Sequence, residues 1–407
     1  MEAAMQPDIS AAIDRGERTS LMEPLQLPVA SPNRPELTEL AVRLTAGSTG
    51  FQRSLPPGII GALADLVRAM NCYYSNLIEG HNTHPIDIER ALRSDYSREP
   101  RKRNLQLEAR AHVAVQQWID SHGLAGRAQA RDSICEIHRR FCELLPEDLL
   151  WVEDPESGAR ARVMPGEFRA RDVRVGAHVP VSPGAVPRFL DRFAEVYGSA
   201  GRAETIISAA AAHHRMLWIH PFLDGNGRVV RLMSHAMLLK ALESGGVWSI
   251  ARGLARRERE YKDHLAACDR TRSGDADGRG NLSERALVDF TRFFLEVCID
   301  QVQFMEGLVE PGRLRDRILA WATEEIRAGT LPMKSTTVME SVLFRGELPR
   351  SDIATLLGTS DRQARRVIAA LIDAGVLISA SSRAPLRIVF PARLAGRWLP
   401  GLFPEQA

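Results

Sequence analysis

Between His220 and Arg231 the chain places an imidazole, a carboxylate, two glycines and two guanidinium groups in one short stretch, His220-Pro221-Phe222-Leu223-Asp224-Gly225-Asn226-Gly227-Arg228-Val229-Val230-Arg231. An imidazole with an ordinary pKa near ~6.5 can take the proton of a hydroxyl at neutral pH. Asp224 is a hard oxygen ligand of the kind Mg²⁺ uses when it bridges two phosphates. Gly225 and Gly227 let the backbone approach a phosphate closely, and Asn226 between them tolerates left-handed geometry. Arg228 and Arg231 are three residues apart, so they share one face of a helical turn and can reach successive phosphates. The stretch from Val229 to Glu243 is apolar with helical periodicity, so the loop opens into a helix N-terminus, where free N–H groups and the macrodipole favour an anion. Together these are the parts needed to handle a nucleoside triphosphate. A competing zinc site from His213, His214 and His220 lacks the i, i+4 histidine pair of a helical zinc motif.

The pattern His-Pro-Phe-x-Asp-Gly-Asn-Gly-Arg-x-x-Arg resembles the signature of Fic-domain enzymes, with every defined position filled, and the apolar approach Ala209 to Ile219 is similar to the helix leading into that loop. The resemblance covers about residues 60 to 300. It implies transfer of AMP (occasionally another phosphate-containing moiety) from a nucleotide, here ATP with Mg²⁺, to a protein hydroxyl. It implies His220 as the general base and Asp224 as the metal ligand. The Gly225–Gly227 turn with Asn226 would be the anion hole for the transferred phosphate. Phe222 would belong to the nucleotide-binding loop, Arg228 would hold the outer phosphates and Arg231 the γ-phosphate.

Two further motifs agree. Ser75-Asn76-Leu77-Ile78-Glu79-Gly80 resembles the family's inhibitory motif. Ser75 and Glu79 are one helical turn apart, and Gly80 suits the residue that ends a helix. The resemblance implies that Glu79 pairs with Arg231 and takes the space of the γ-phosphate, since a carboxylate and a phosphate compete for one guanidinium. Family members also use this glutamate to remove AMP, so a bifunctional enzyme is an alternative. Pro165 to Arg169, Val173 to Gly176 and Val179 to Val181 read as two short strands joined by turns. They are similar to the family's flap, a hairpin that holds the target by strand addition, with Phe168, Arg169, Val173 and Val175 as its docking residues.

The fold class expected is mainly α: a helical Fic bundle with a small β-hairpin flap, followed by a C-terminal winged helix-turn-helix. The 407 residues suit two or three domains, and 44% hydrophobic residues can bury a substantial core. The expected division is a loosely ordered Pro-rich arm (1–50), an N-terminal helical region (51–103), the Fic domain (104–310) and a winged-helix domain with its tail (311–407). Helices are expected over Gly61–Ile78, Ile86–Arg93, Leu105–Ile119, Ser133–Leu145, Val186–Tyr197, Thr205–Ile219, Val229–Glu243, Arg256–Ala267, Ser283–Gln303, Arg313–Arg327, Asp352–Leu357 and Asp361–Ala374. A net charge of +2 gives no global attraction to nucleic acid or membrane. Five scattered cysteines without a CxxC pair fit a reducing cytoplasm. Met1 to Met5 show no secretory signal, and no apolar run is long enough to span a membrane.

In the C-terminal segment, Val376–Ile378 and Leu386–Phe390 read as a two-stranded wing. Arg362, Arg365 and Arg366, with Arg383 and Arg387, are candidate contacts to DNA phosphates. Ala364, Val367 and Ile368 mark the opposite face of that helix as core. Two functions therefore compete: an auto-inhibited AMP-transferase acting on a Ser, Thr or Tyr hydroxyl, and a transcription regulator whose nucleotide site only senses. His220 favours the enzyme, because a sensor needs no base. The target protein is not legible. Self-modification, a homodimer and DNA binding are each compatible with the chain.

Overall fold

The computed structural model describes residues 12–153 and 158–404. It is mainly helical, as expected. In chain order come α1 (Arg34–Arg53), α2 (Pro57–Ile78), α3 (Pro85–Leu92), α4 (Pro100–Asp120) and α5 (Arg131–Glu143). An antiparallel hairpin of β1 (Trp151–Glu153) and β2 (Arg160–Arg162) follows. Then come α6 (Val186–Gly198), α7 (Arg202–Ile219), α8 (Asn226–Leu242), α9 (Ile250–Arg256), α10 (Glu258–Cys268) and α11 (Glu284–Leu308). The chain closes with α12 (Pro311–Arg327), α13 (Ser335–Arg345), α14 (Ile353–Leu357), α15 (Asp361–Asp373), the pair β3 (Leu377–Ile378) and β4 (Arg387–Ile388), and α16 (Ala395–Trp398). Among the described residues no helix is long and apolar enough to cross a membrane.

The chain divides into two units, each discontinuous in sequence. One comprises the residues up to Val42, Ala114–Ala241 and Arg256–Glu296; the other comprises Arg43–Val113, Leu242–Ala255 and Val297–Ala407. The expected segments were consecutive. The difference is physical: β4 packs on α2, a pairing of residues about three hundred apart that local periodicity does not register.

In the first unit, α6 buries Val186, Phe189, Leu190, Phe193 and Tyr197, a helical stripe that packs on α7. Ala209, Ala210, Ala211 and Ala212 of α7 are buried, and their small side chains let neighbouring helices approach closely. The expectation of a loosely ordered arm is corrected. Gly184 donates its N–H to the Ile13 carbonyl at 2.9 Å, and Leu282 donates to that of Glu23 at 2.8 Å. Arg215, fully buried, donates through Nη2 to the Pro24 carbonyl at 2.9 Å. From residue 12 on the arm is ordered because the domain supplies partners for its backbone; residues 1–11 of the expected arm lie outside the described residues. Residues 34–53, also assigned to that arm, form α1. Leu37, Leu40, Ala41 and Leu44 are buried at helical spacing, and Pro35 stands in the first turn, where proline is tolerated.

In the second unit, α2 buries Leu63, Leu66, Val67 and Met70. It ends in a paired turn in which Gly80 N–H donates to the Leu77 carbonyl and His81 N–H to that of Asn76, both at 2.9 Å. Gly80 has φ +80°, the left-handed residue that this Schellman closure needs. Helices α12, α13 and α14 pack in succession, α14 packs on α15, and α15 packs on β3. Trp321 of α12 and Trp398 of α16 meet edge to face at 5.1 Å.

Candidate active site

The loop from His220 to Gly225 joins α7 to α8. Helix α7 stops because His220 turns left-handed, φ +51° and ψ +62°, and Pro221 cannot continue the ladder. His220 N–H still donates to the Met216 carbonyl at 3.1 Å. Its ring Nδ1 lies 3.3 Å from the Leu217 carbonyl oxygen. A carbonyl only accepts, so Nδ1 carries the proton and Nε2 is left as the basic nitrogen. Burial pushes the imidazole down to about 4, against the Leu217 carbonyl and Asp224, with Arg169 and His178 adding to the depression. The ring is therefore neutral, the form a general base needs, throughout the neutral range.

At the other end of the loop α8 begins at Asn226. The Asn226 side chain closes the loop on itself: Oδ1 accepts from Phe222 N–H at 3.0 Å and Nδ2 donates to the Phe222 carbonyl at 2.8 Å. Only Gly225 of the Gly-Asn-Gly turn is left-handed, φ +80°. Asn226 and Gly227 are right-handed, because they are already the first residues of the helix. Asn226 thus serves as a brace rather than as the left-handed residue expected. Val229 N–H is the first to close onto the ladder, to the Gly225 carbonyl at 3.0 Å. The N–H groups of Asn226 and Gly227 therefore stay outside it at the positive end of α8. Arg228 and Arg231 are both buried, Arg228 with its guanidinium 4.9 Å from the Phe141 ring centroid.

Asp224 is exposed, and its carboxylate has no hydrogen bond or ion pair among the described residues. One open carboxylate beside a phosphate cradle fits Mg²⁺, which binds through one or two carboxylates plus substrate phosphates.

Phe222, expected in the nucleotide-binding loop, has its ring turned into the protein. Its ring is fully buried, stacked on His138 with centroids 3.9 Å apart and planes 2° from parallel. His138, on α5, accepts Gly166 N–H on Nδ1 at 2.9 Å. Burial pushes it down to about 4, opposed by a hydrogen bond to the Asp224 backbone. Its role is to tie three segments together, and nothing local in the sequence singles it out.

The flap differs from its expectation. Residues 165–181 hold no strand but one antiparallel bridge, Val175 to His178, around Gly176 and Ala177. The β1–β2 hairpin just upstream was not expected. Val175 is exposed and Phe168 and Val173 are half-buried, so these three remain accessible. Arg169 is not a docking residue. It is 3% exposed, and its guanidinium donates to the carbonyls of His220 (2.8 Å), Arg171 (2.9 Å) and Val181. Burial lowers its pKa to about 10. A second brace missed by sequence reasoning is His178, whose Nε2 donates to the Trp218 carbonyl at 2.8 Å. The N-terminal arm holds both ends of the same segment. Arg15 pairs with Asp172 at 2.8 and 3.0 Å, while Glu17 accepts from Ser182 N–H at 2.8 Å and Oγ at 2.6 Å.

His213 and His214 are buried structural residues. His213 bonds Ser234 Oγ at 2.9 Å and Tyr261 OH at 2.7 Å, and His214 bonds Asp269 at 2.9 Å. In the second unit, Ser75 is fully buried, whereas Glu79 is exposed at the C-cap of α2.

The site therefore sets a left-handed histidine at the end of α7 beside a helix N-terminus that carries two arginines in its first turns. Residues 129–238 match the model of the Fic/DOC family. The Protein adenylyltransferase Fic of Drosophila willistoni is 37% identical over 110 residues, which are 26% of this chain and 19% of that protein. That of Drosophila yakuba matches to the same extent. The chain thus spans about a fifth of the length of these curated relatives. A Fic family protein from Desulfovibrio desulfuricans G20 has a similar fold, with a TM-score of 0.53 at 16% identity over 89% of this chain and 98% of that one.

Proposed function

We propose that this chain is an auto-inhibited protein adenylyltransferase that moves AMP from ATP to a Ser, Thr or Tyr hydroxyl. The observation that carries the reading is the neutral imidazole of His220, its Nε2 unprotonated, at one end of a loop whose other end is the N-terminus of α8. A loop that only sensed a nucleotide would have no use for that base. The relatives named as adenylyltransferases support it over the matched domain.

In this mechanism the target segment lies along Val173 and Val175. Its hydroxyl oxygen attacks the α-phosphorus of ATP while His220 Nε2 takes the hydroxyl proton. The bond from target oxygen to phosphorus forms, the bond to the bridging α–β oxygen breaks, and pyrophosphate leaves. The N–H groups of Asn226 and Gly227 stabilise charge on the α-phosphate, and Arg228 holds the outer phosphates. Mg²⁺ bound through Asp224 would neutralise charge on the departing phosphates.

We infer that Glu79 competes with the γ-phosphate for Arg231 and keeps the resting protein off. The inhibitory motif and its helix-terminating Gly80 support this. Intact mass after incubation with ATP and Mg²⁺ tests both ideas, using wild type, Glu79→Gly and Glu79→Gly with His220→Ala. Self-modification by Glu79→Gly alone is the expected result. No AMP on any protein or any lysate target would overturn the transferase reading.

A further inference from the structure

Among the described residues, some arginines of the second unit pair with carboxylates and others, those of α15 among them, do not. In the same unit Arg68, Arg90, Arg93, Arg315, Arg345, Arg387 and Arg397 each pair with a carboxylate. Arg362, Arg365 and Arg366 of α15, and Arg383 in the turn between β3 and β4, are exposed. Their side chains make no ion pair or hydrogen bond among the described residues. Asp361 and Asp373, the first and last residues of α15, are engaged by none of them.

Geometry groups these charges. Helix α15 buries Ala364, Val367, Ile368 and Leu371. At about 100° per residue, Arg362, Arg365 and Arg366 fall within an arc of about 100° on the opposite side. All three stand in its first two turns. Helix α14 precedes α15 across Gly358-Thr359-Ser360, with Gly358 left-handed at φ +54°, and α14 and α15 pack together. This is a helix–turn–helix whose second helix directs its N-terminal half, and its cations, to solvent. An α-helix fits the roughly 12 Å major groove of duplex DNA, flanked by phosphates. β3 packs on α15, so the β3–β4 turn presents Arg383 from the adjoining element.

We propose that α15 and the β3–β4 turn form a docking surface for duplex DNA, held through its phosphates by Arg362, Arg365, Arg366 and Arg383. The proposal is independent of the transferase reading. Free guanidinium groups on a helix face exchange condensed counterions for phosphate contacts, so the interaction weakens with salt in proportion to the contacts made.

The test uses the full-length chain without ATP and a short fluorescein-labelled duplex of mixed sequence, read by anisotropy over a salt series. Wild type should bind the duplex more tightly than the corresponding single strand. Arg362→Ala/Arg365→Ala/Arg366→Ala should weaken binding at least about tenfold and lower the log–log salt slope by about 3, near 0.9 per contact. Arg383→Ala should lower it by about 1. Arg98→Ala/Arg101→Ala/Arg103→Ala, which removes the same charge around the start of α4, should bind as wild type does. All variants alter exposed side chains, and circular dichroism checks that each is folded. Absence of duplex binding at low salt, equal loss in the two triple variants, or a preference for single strands would each overturn the proposal.

Discussion

Arg169 and His220 are joined at the backbone: Arg169 Nε donates to the His220 carbonyl at 2.8 Å, and Arg169 N–H donates to the Pro221 carbonyl at 2.9 Å. The segment around Arg169 and the backbone at His220 are thus stapled together across two successive peptides. The remaining guanidinium bonds, to Arg171 and Val181, fix the segment's own course. A buried cation is spent on carbonyl oxygens, each of which would be left wanting a donor without it.

Removing that fork should therefore damage turnover more than nucleotide binding. Arg169→Ala in a Glu79→Gly background should slow AMP transfer about a hundredfold, because small displacements of reacting groups cost that much. Affinity for a non-hydrolysable ATP analogue should change little. Arg169→Lys supplies one donor in place of the planar fork and should recover only part of the rate. Time courses by intact mass, with analogue binding by calorimetry, check this. Equal loss in both measurements would show that Arg169 supports the fold rather than the base.

Histidines held neutral by burial should weaken the fold in mild acid. Burial holds His138, His214 and His220 near about 4 and His213 near about 3, against about 6.5 in the unfolded chain. Between those values the unfolded state binds more protons, so stability is full above about pH 6.5 and falls as pH drops toward 4. Urea unfolding should show a lower midpoint at pH 5 than at pH 7.5. The base itself stays neutral across that window, so turnover per folded molecule should be flat from pH 8 to about 5. Midpoints that match at the two pH values would refute the assignment of buried neutral imidazoles.

Glu79→Gly should raise self-modification, read by intact mass, well above wild type. Wild-type and variant proteins labelled at the same rate would end the inhibitory reading of this motif without touching the transferase itself.

The N-terminal arm should govern the segment it holds. For Glu17, burial would raise the carboxyl, but the Ser182 hydroxyl and N–H and the Arg15 charge bring it down to about 2. Its contribution is thus present above about pH 4.5 and lost only as pH falls through 2. At neutral pH, Glu17→Gln and Arg15→Ala should each speed limited proteolysis within residues 172–182. Cleavage rates equal to wild type would mean that the segment holds its course without the arm.

Contiguous features were legible in the sequence: the His220–Arg231 loop, the helix ending at Gly80 and the long helices whose apolar stripes announce them. Non-local features were not. Arg169 was read as a docking residue because its neighbours resemble a flap; only the fold shows its guanidinium turned inward. His138 stacks on Phe222 and His178 bonds the Trp218 carbonyl, partners 84 and 40 residues away, and no spacing rule connects them. Helix α1 was obscured by Pro32 and Pro35, although Pro35 occupies a position helices accept. The first and last parts of each unit are brought together only by tertiary packing, which is why consecutive segments were expected instead.

The left-handed backbone at His220 sets activity against durability. A side chain bearing a Cβ costs about 1–2 kcal/mol in that conformation, and glycine does not pay it. His220→Gly should therefore be inert and melt above the wild-type protein. On the transferase reading, the imidazole stands at a backbone position where glycine would be the less strained residue.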